Sequence, residues 1–123
     1  MKLVEVKASG SYCVKIGHGL LDTLGTELAA LAKGNVLVVT DTNVAPYYLE
    51  RTENSLKSAG FSVISEIISA GEPSKNLENY EKLLRRMAAA HLTRADTVVA
   101  LGGGVTGDLA GFAAASYLRG IRL

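Results

Sequence analysis

Strand-length apolar runs alternate with helical segments along most of this chain, and that alternation limits the fold more than any other feature. Residues 36–40 form a continuous run rich in β-branched side chains, and residues 61–68 and 96–101 contain similar runs. Runs of this kind are typical of parallel strands that are buried on both faces. The sequence therefore predicts an open, Rossmann-like α/β sheet, mostly parallel, with helices on both faces.

The first residues follow a different pattern. Residues 3–6 and 12–16 are two strand-like stretches separated by a turn signal at residues 9–11, which predicts an N-terminal β-hairpin. Cys13 is the single cysteine, and its position in the second stretch predicts a packed thiol. Because one cysteine allows no disulfide within the chain, a reducing cytoplasm is the expected location.

Helical spacing of apolar residues predicts four helices between and after the strands. Gly34 is expected to stop the first, and Asn43 is a candidate cap for the second. Leu31 and Leu77 are expected to belong to apolar faces. The predicted helices cover residues 20–31, 43–60 and 76–91, and a last one, rich in small residues, ends near residue 118.

Charge and composition exclude several classes of function. The chain carries 13 Lys and Arg residues against 12 Asp and Glu, a net charge of +1, whereas nucleic-acid modules concentrate basic residues on one face. Its apolar runs are far shorter than the ~20 residues of a membrane span. Two histidines and one cysteine form no zinc-binding pattern. We expect neither a nucleic-acid nor a membrane partner, and no metal site in this chain.

A glycine cluster follows the last predicted strand. Ligands of open parallel sheets bind beyond the carboxyl ends of the strands, and Gly102, Gly104 and Gly107 form G-x-G-x-x-G at such an end. Bare amides and a helix dipole can receive a phosphate there. The pattern departs from the usual dinucleotide motif, because it follows the last strand and has no acidic residue about 20 positions on. The alternative is a tight turn in which small residues permit close helix packing.

Polar residues follow the other two strands. Asp41, at the first strand end, can accept both hydroxyls of a ribose, although Asp41 and Asn43 are also residue types that cap helices. Lys75 lies beside a helix N-terminus, where its charge is unfavourable unless an anion or a hydroxyl-rich ligand binds it; a solvated surface lysine is the alternative. The second strand end carries Gly71, Glu72, Ser74 and Lys75.

Residues 101–121, LGGGVTGDLAGFAAASYLRGI, resemble the signature of the 3-dehydroquinate synthase family, which belongs to the sugar phosphate cyclases. Residues 71–76, GEPSKN, resemble that family's second cofactor loop, and residues 38–43 resemble its first. The resemblance covers nearly the whole chain and corresponds to about the first third of a family member. It implies that residues 1–123 are an NAD-binding N-terminal domain, without the family's C-terminal helical zinc-binding domain.

The resemblance also implies an activity. Family members are lyases that convert 3-deoxy-D-arabino-heptulosonate 7-phosphate to 3-dehydroquinate and phosphate in the shikimate pathway of aromatic amino-acid biosynthesis. NAD transiently oxidises a substrate hydroxyl, phosphate is eliminated, and re-reduction and ring closure regenerate the cofactor. The full-length enzymes are cytoplasmic homodimers that use NAD and a divalent metal, zinc or cobalt.

Roles for individual residues follow from the same resemblance. The nucleoside and ribose would be held by Asp41, Asn43, Glu72, Ser74 and Lys75, with Gly71 in the same loop. The pyrophosphate would meet the backbone of Gly103, Gly104 and Val105, in the loop that also contains Gly107. Asp108 would lie near the nicotinamide, and Arg119 would reach a substrate phosphate in its own subunit or across a dimer.

Three alternative functions fit the sequence to different degrees. Metal-dependent alcohol dehydrogenases have a Gly-Gly-Gly-Ser loop, whereas Val105 follows the glycines here. Other sugar phosphate cyclases share these loops, and a non-catalytic module for nucleotide binding or dimerisation is a third hypothesis. Because the zinc ligands and phosphate-binding lysines of the family are missing from residues 1–123, we predict that this chain alone is catalytically inactive.

Overall fold

The computed structural model describes residues 2–7 and 10–123. Two strands come first and form a hairpin, and strands and helices then alternate. Short 3-10 turns occur at Leu20–Thr23, Glu72–Ser74 and Tyr117–Arg119. The elements are β1 (Lys2–Lys7), β2 (Ser11–Ile16), α1 (Leu24–Ala29), β3 (Asn35–Asp41), α2 (Ala45–Ser58), β4 (Ser62–Ile68), α3 (Leu77–Ala89), β5 (Thr97–Leu101) and α4 (Gly104–Ser116).

The central sheet has the strand order β4-β3-β5, and both pairings are parallel. Val38 of β3 lies opposite Ser65 of β4 on one side and Val99 of β5 on the other. After β5 and α4 the chain returns to the sheet, where Arg122 forms a parallel bridge with Thr97. The predicted parallel α/β sheet is confirmed.

Helices cover both faces of this sheet, as predicted. On one face, Val36 and Val38 pack with Leu28 of α1 and Leu56 of α2. On the opposite face, Leu37 and Val39 pack with residues of α3 and α4. The alternation of side chains along β3 therefore feeds two separate apolar cores. The central β3 residues from Val36 to Val39 are completely buried.

The predicted hairpin is confirmed, with β1 and β2 antiparallel. It forms a sheet of its own, and its apolar side chains, such as Tyr12 and Ile16, are largely exposed. The prediction of a packed Cys13 thiol is wrong, because this side chain is also exposed. Ser9, part of the predicted turn, lies outside the described residues.

Three helix predictions need correction. The first helix is shorter than predicted: α1 ends at Ala29, so Leu31 lies beyond it and is exposed. Gly34 therefore does not stop that helix. In α3 the buried face includes Leu83 and Met87, whereas Leu77 is 81% exposed. None of the helices in residues 2–7 and 10–123 has the length and apolar character needed to cross a membrane.

A buried carboxylate ties the start of β3 to the start of β5. Asp96 is 3% exposed and accepts hydrogen bonds from the backbone N–H groups of Asn35, at 2.8 Å, and Thr93, at 2.7 Å. A β-carbon on Gly34 would lie 2.5 Å from Asp96 Oδ1, so glycine is needed where the chain passes this group. Burial alone would raise the pKa of Asp96, but the hydrogen bonds donated by Asn35 and Thr93 outweigh it and hold the pKa below 3.8.

We expect Asp96→Asn to lower the free energy of unfolding at neutral pH by about 1–3 kcal/mol, because charge-assisted hydrogen bonds are lost. Since the native pKa lies below the ordinary 3.8, this contribution is present above pH 3.8 and is lost as the pH falls through the native value. Urea unfolding of both proteins across this pH range checks the prediction. The two stabilities should converge in acid, and a difference that stays constant with pH would contradict the assignment.

Candidate functional site

The carboxyl ends of β3 and β5 lie side by side, and the chain leaves them toward opposite faces of the sheet. α2 follows β3 and packs on one face, while α4 follows β5 and packs on the other. Such a divergence leaves a crevice at the strand ends, where open α/β sheets bind ligands. The loop after β4 borders the same edge, since Asp41 lies opposite Ile68 in the sheet.

The glycines that follow β5 are of two kinds. Gly102 is required by the fold, because its φ of +151° is rarely adopted by other residues and a β-carbon there would lie 3.2 Å from Thr106 Oγ1. By contrast, Gly103, Gly104 and Gly107 have no positive φ, and a β-carbon on any of them would meet no described atom within 4 Å. Open space at Gly107 argues against the helix-packing alternative at this position. Folding alone does not explain these three glycines.

The same glycines open a helix whose N-terminus is uncapped. Gly103 is the N-cap residue of α4, and within the described residues no side chain accepts a cap hydrogen bond there. The first bond within the helix runs from Gly107 N–H to Gly103 O, at 3.0 Å. The amides of Gly104, Val105 and Thr106 therefore lack an acceptor within α4. Together with the helix dipole, they form a site suited to an anion.

Asp41 occupies the end of β3 with most of its hydrogen-bonding capacity in use. Oδ1 accepts the backbone N–H groups of Asn43 and Val44, each at 2.9 Å, and Oδ2 accepts the Thr106 hydroxyl at 3.3 Å. A carboxylate offers about four acceptor positions, so one remains for a ligand. Asp41 thus has room for one ribose hydroxyl rather than the two that the sequence suggested.

The N-terminus of α2 is organised by Asp41 and not by Asn43. The N-cap residue is Val44, and the Asn43 side chain makes no cap bond. The hypothesis that Asn43 caps this helix is therefore wrong. The Asn43 side chain is exposed at the strand-end crevice and does not cap α2.

The loop after β4 contributes a charged pair. Lys75 Nζ lies 2.7 Å from Asp108 Oδ2 on α4 and 3.8 Å from Glu72 Oε1. The hydrogen bond and charge of Asp108, followed by the charge of Glu72, raise the pKa of Lys75 above 10.5, so Lys75 is a cation at neutral pH. Asp108 is thus the negatively charged partner of Lys75, a partner that the sequence alone did not identify. In the same loop Gly71 has a φ of +108°, and Ser74 is only 8% exposed.

Side chains bind these three loops to one another. Thr42 Oγ1 accepts the Ala70 N–H at 3.0 Å, which joins the first loop to the second. The Asp41–Thr106 contact joins the first loop to α4, and Lys75–Asp108 joins the second loop to α4. Sequence reasoning missed Thr42 and Thr106, because a single threonine in a loop or helix gives no signal of a partner distant in the chain.

A cavity of about 660 Å³ extends from this site between α3 and α4. Lys75 and Asp108 line it together with Gly107. Tyr80 and Phe112 also line it and meet edge to face, with ring centroids 4.7 Å apart. The cavity therefore combines a charged pair, an aromatic pair and an open backbone surface on α4.

Val105 and Arg119, two of the predicted site residues, differ in how far they are buried. Val105 is half-buried and packs against the core beneath α4, so that it offers a ligand its amide rather than its side chain. Arg119 lies beyond the end of α4, exposed, in a turn where it has a φ of +66°. Arg119 thus lies outside the last turn of α4.

The residues present fit a dinucleotide better than a metal ion. Among residues 2–7 and 10–123, no three His, Cys, Asp or Glu side chains are grouped so that they could hold a metal. A dinucleotide needs a close approach to backbone amides, and the open positions at Gly103 and Gly104 allow it. These open backbone positions are suited to a phosphate-bearing ligand such as a dinucleotide.

Known proteins share this sequence and fold. Residues 65–123 match the family described as 3-dehydroquinate synthase N-terminal. A 3-dehydroquinate synthase from Clostridium acetobutylicum is 41% identical over 123 residues, covering 98% of this chain and 35% of the relative. The chain thus spans about a third of the length of the curated relatives it matches.

Two solved structures have similar folds. A 2-deoxy-scyllo-inosose synthase, complexed with carbaglucose-6-phosphate, NAD+ and Co2+, matches with a TM-score of 0.87 and 23% identity, over 98% of this chain and 33% of that one. A 2-epi-5-epi-valiolone synthase from Streptomyces hygroscopicus, with NAD+ and Zn2+ bound, matches with a TM-score of 0.77 and 29% identity, over 96% of this chain and 32% of that one. At 23% identity the first likeness is one of fold alone.

Proposed function

Because this chain belongs to the 3-dehydroquinate synthase family and corresponds to its N-terminal region, we propose that it is the NAD-binding part of an enzyme that converts 3-deoxy-D-arabino-heptulosonate 7-phosphate to 3-dehydroquinate and phosphate. The observation that carries the proposal is the open backbone at Gly103, Gly104 and Gly107, beside the uncapped N-terminus of α4. Nothing in the packing of the described residues requires glycine at these positions, whereas a pyrophosphate does.

The pyrophosphate binds over the glycine loop in this proposal. The amides of Gly104 and Val105 donate to its oxygens, and the missing side chains at Gly103 and Gly104 let the phosphates approach. The positive end of the α4 dipole adds to this attraction. Lys75 lines the cavity beside Gly107 as a hydrogen-bond donor, since Asp108 and Glu72 offset its positive charge.

The adenosine half binds toward the ends of β3 and β4. Asp41 accepts one ribose hydroxyl at its remaining acceptor position, and Asn43 and Glu72 offer exposed polar groups on either side. Ser74 and Gly71 shape the loop, because Ser74 is nearly buried and Gly71 needs its positive φ. A nucleoside here would lie against loops that are already held together by the Thr42–Ala70 bond.

The nicotinamide half extends toward Asp108 and the cavity between α3 and α4. NAD, when bound, supplies a hydride acceptor for a substrate hydroxyl. The task of this chain is to bind and orient the ring, with Asp108 as the polar group near it. Arg119 is proposed to reach a substrate phosphate, and its exposed position beyond α4 leaves the guanidinium available.

The remaining chemistry belongs to a longer protein. No three His, Cys, Asp or Glu side chains among the described residues are grouped as metal ligands, and we propose that the metal of the whole enzyme is held by its C-terminal region, as the family resemblance implies. We further propose that the enzyme is a cytoplasmic homodimer, as the family resemblance implies. A lyase assembled in this way needs the whole polypeptide for turnover.

We expect the purified 123-residue chain to release no phosphate from 3-deoxy-D-arabino-heptulosonate 7-phosphate, with NAD and zinc supplied. A colorimetric phosphate assay measures this, with a full-length 3-dehydroquinate synthase as the positive control. Phosphate release by the chain at a rate above that of a heat-denatured sample would overturn the assignment of catalysis to the longer protein.

A different cyclase and a non-catalytic module remain the alternative functions. The 29% identity to 2-epi-5-epi-valiolone synthase favours the first, but it is lower than the 41% shared with the Clostridium 3-dehydroquinate synthase. Titration with NAD separates a cofactor domain from a module that only dimerises. Saturable binding supports the cofactor domain, and its absence supports the module.

A further inference from the structure

Thr106 connects the two strand ends at which the proposed NAD site is built. Its side chain is 1% exposed, in the first turn of α4, and its hydroxyl donates to Asp41 Oδ2 at the end of β3. We propose that Thr106 is a positioning residue that holds the Asp41 carboxylate in the orientation that accepts a ribose hydroxyl. This inference rests on the proposed function, since it assigns a role within the same nucleotide site.

The geometry leaves Asp41 dependent on Thr106. The backbone N–H groups of Asn43 and Val44 both bind Oδ1, so they fix only one of the two carboxylate oxygens. Among the described residues, Thr106 is the side chain that binds the other oxygen. At 3.3 Å this hydrogen bond is long. It is nevertheless the contact that limits rotation of the carboxylate about the Cβ–Cγ bond of Asp41.

Gly102 makes the contact possible. A β-carbon on Gly102 would lie 3.2 Å from Thr106 Oγ1 and 3.3 Å from Asp41 Oδ2, closer than nine in ten real β-carbon contacts. The loop backbone therefore passes directly beside the Asp41–Thr106 pair, and its φ of +151° is the conformation that brings it there. Gly102 thus has a role within the glycine cluster that does not involve phosphate.

Removal of the Thr106 hydroxyl should let the Asp41 carboxylate rotate while the carboxylate itself stays in the site. In Thr106→Val the shape is kept and the donor is lost, so that Oδ2 can turn toward solvent and away from the ribose. We expect NAD affinity to fall about five- to tenfold, the loss of one well-oriented hydrogen bond. Thr106→Ser keeps the hydroxyl and should restore affinity to near that of the wild type.

Calorimetric titration of NAD into the 123-residue chain and these two variants tests the proposal. Thr52→Val is the matched control, because Thr52 is also a buried helical threonine but donates to the Tyr48 carbonyl of its own helix, away from the site. Its NAD affinity should equal that of the wild type. Thermal unfolding of every variant separates folding from binding.

Nucleotides that lack one hydroxyl distinguish positioning from a general loss of structure. ADP is compared with 2′-deoxy-ADP and 3′-deoxy-ADP: if Thr106 acts through Asp41, the effect of Thr106→Val disappears for one deoxy form. An equal loss of affinity for all three nucleotides, or wild-type NAD affinity in Thr106→Val, would overturn this inference and leave the proposed function intact. Absence of NAD binding by the wild type would overturn both.

Discussion

Replacement of Gly25 by alanine is expected to lower the free energy of unfolding by about 3 kcal/mol or more. A β-carbon on Gly25 would lie 1.9 Å from the backbone carbonyl oxygen of Ser55 and 3.0 Å from the Ala59 β-carbon. α1 and α2 cross at this point with their backbones nearly in contact. The Ser55 carbonyl is part of the backbone and the Ala59 β-carbon is attached directly to it, so neither atom can move aside as the end of a flexible side chain would.

The clash also breaks a polar link between the two helices. The Gly25 N–H donates to Ser55 Oγ at 2.9 Å, and that hydroxyl donates to the Asp22 carbonyl at 3.1 Å. Separation of the helices loses both bonds and exposes Leu28, which packs against Val36 and Val38 of the sheet. The expected destabilisation therefore combines steric, polar and hydrophobic terms.

Urea unfolding followed by circular dichroism measures this effect, with Gly107→Ala as the matched control. Gly107 is also helical, but a β-carbon there meets nothing within 4 Å, so alanine should leave stability unchanged or raise it by up to about 1 kcal/mol. Equal stabilities of Gly25→Ala and the wild type would mean that the α1–α2 crossing is not as close as described.

The second large effect concerns binding. We expect Gly104→Ala to reduce NAD affinity by about 100-fold while leaving the fold intact. The new β-carbon would project into open space at the uncapped N-terminus of α4, where the pyrophosphate is proposed to bind. Loss of one or two charge-assisted hydrogen bonds, at about 1.5–3 kcal/mol each, accounts for a change of this size.

Stability and affinity should thus respond in opposite ways at Gly104. Alanine is a better helix former than glycine, so the variant should unfold at the same temperature as the wild type or slightly above it. A variant that lost both stability and NAD affinity would indicate a packing role for Gly104. Thermal unfolding without ligand makes this distinction.

The sequence was sufficient to predict the layout of the sheet. Runs such as residues 36–40 are long enough and apolar enough to require burial on both faces, and the helices between them require parallel crossovers. The meeting of loops at the carboxyl ends of the strands followed from that topology. The sequence did not predict the strand order, because apolar runs of similar composition do not indicate which strands pair with one another.

Finer features depended on contacts between distant residues. Asp41 and Asn43 are equally good capping residues by type, and only the structure assigns the α2 amides to Asp41. In α3, Leu83 is fully buried, whereas Leu77 is exposed at the first position of the helix. Thr106 gave no signal, since its partner lies 65 residues away in the sequence.

The central claim is that the glycine loop after β5 is an NAD site, and one measurement tests it most directly. NAD is titrated calorimetrically into the 123-residue chain and, under the same conditions, into Gly104→Ala. We predict saturable binding of one NAD per wild-type chain and affinity about 100-fold weaker in the variant. Absence of binding by the folded wild-type chain, or equal affinity of the two proteins, would contradict it.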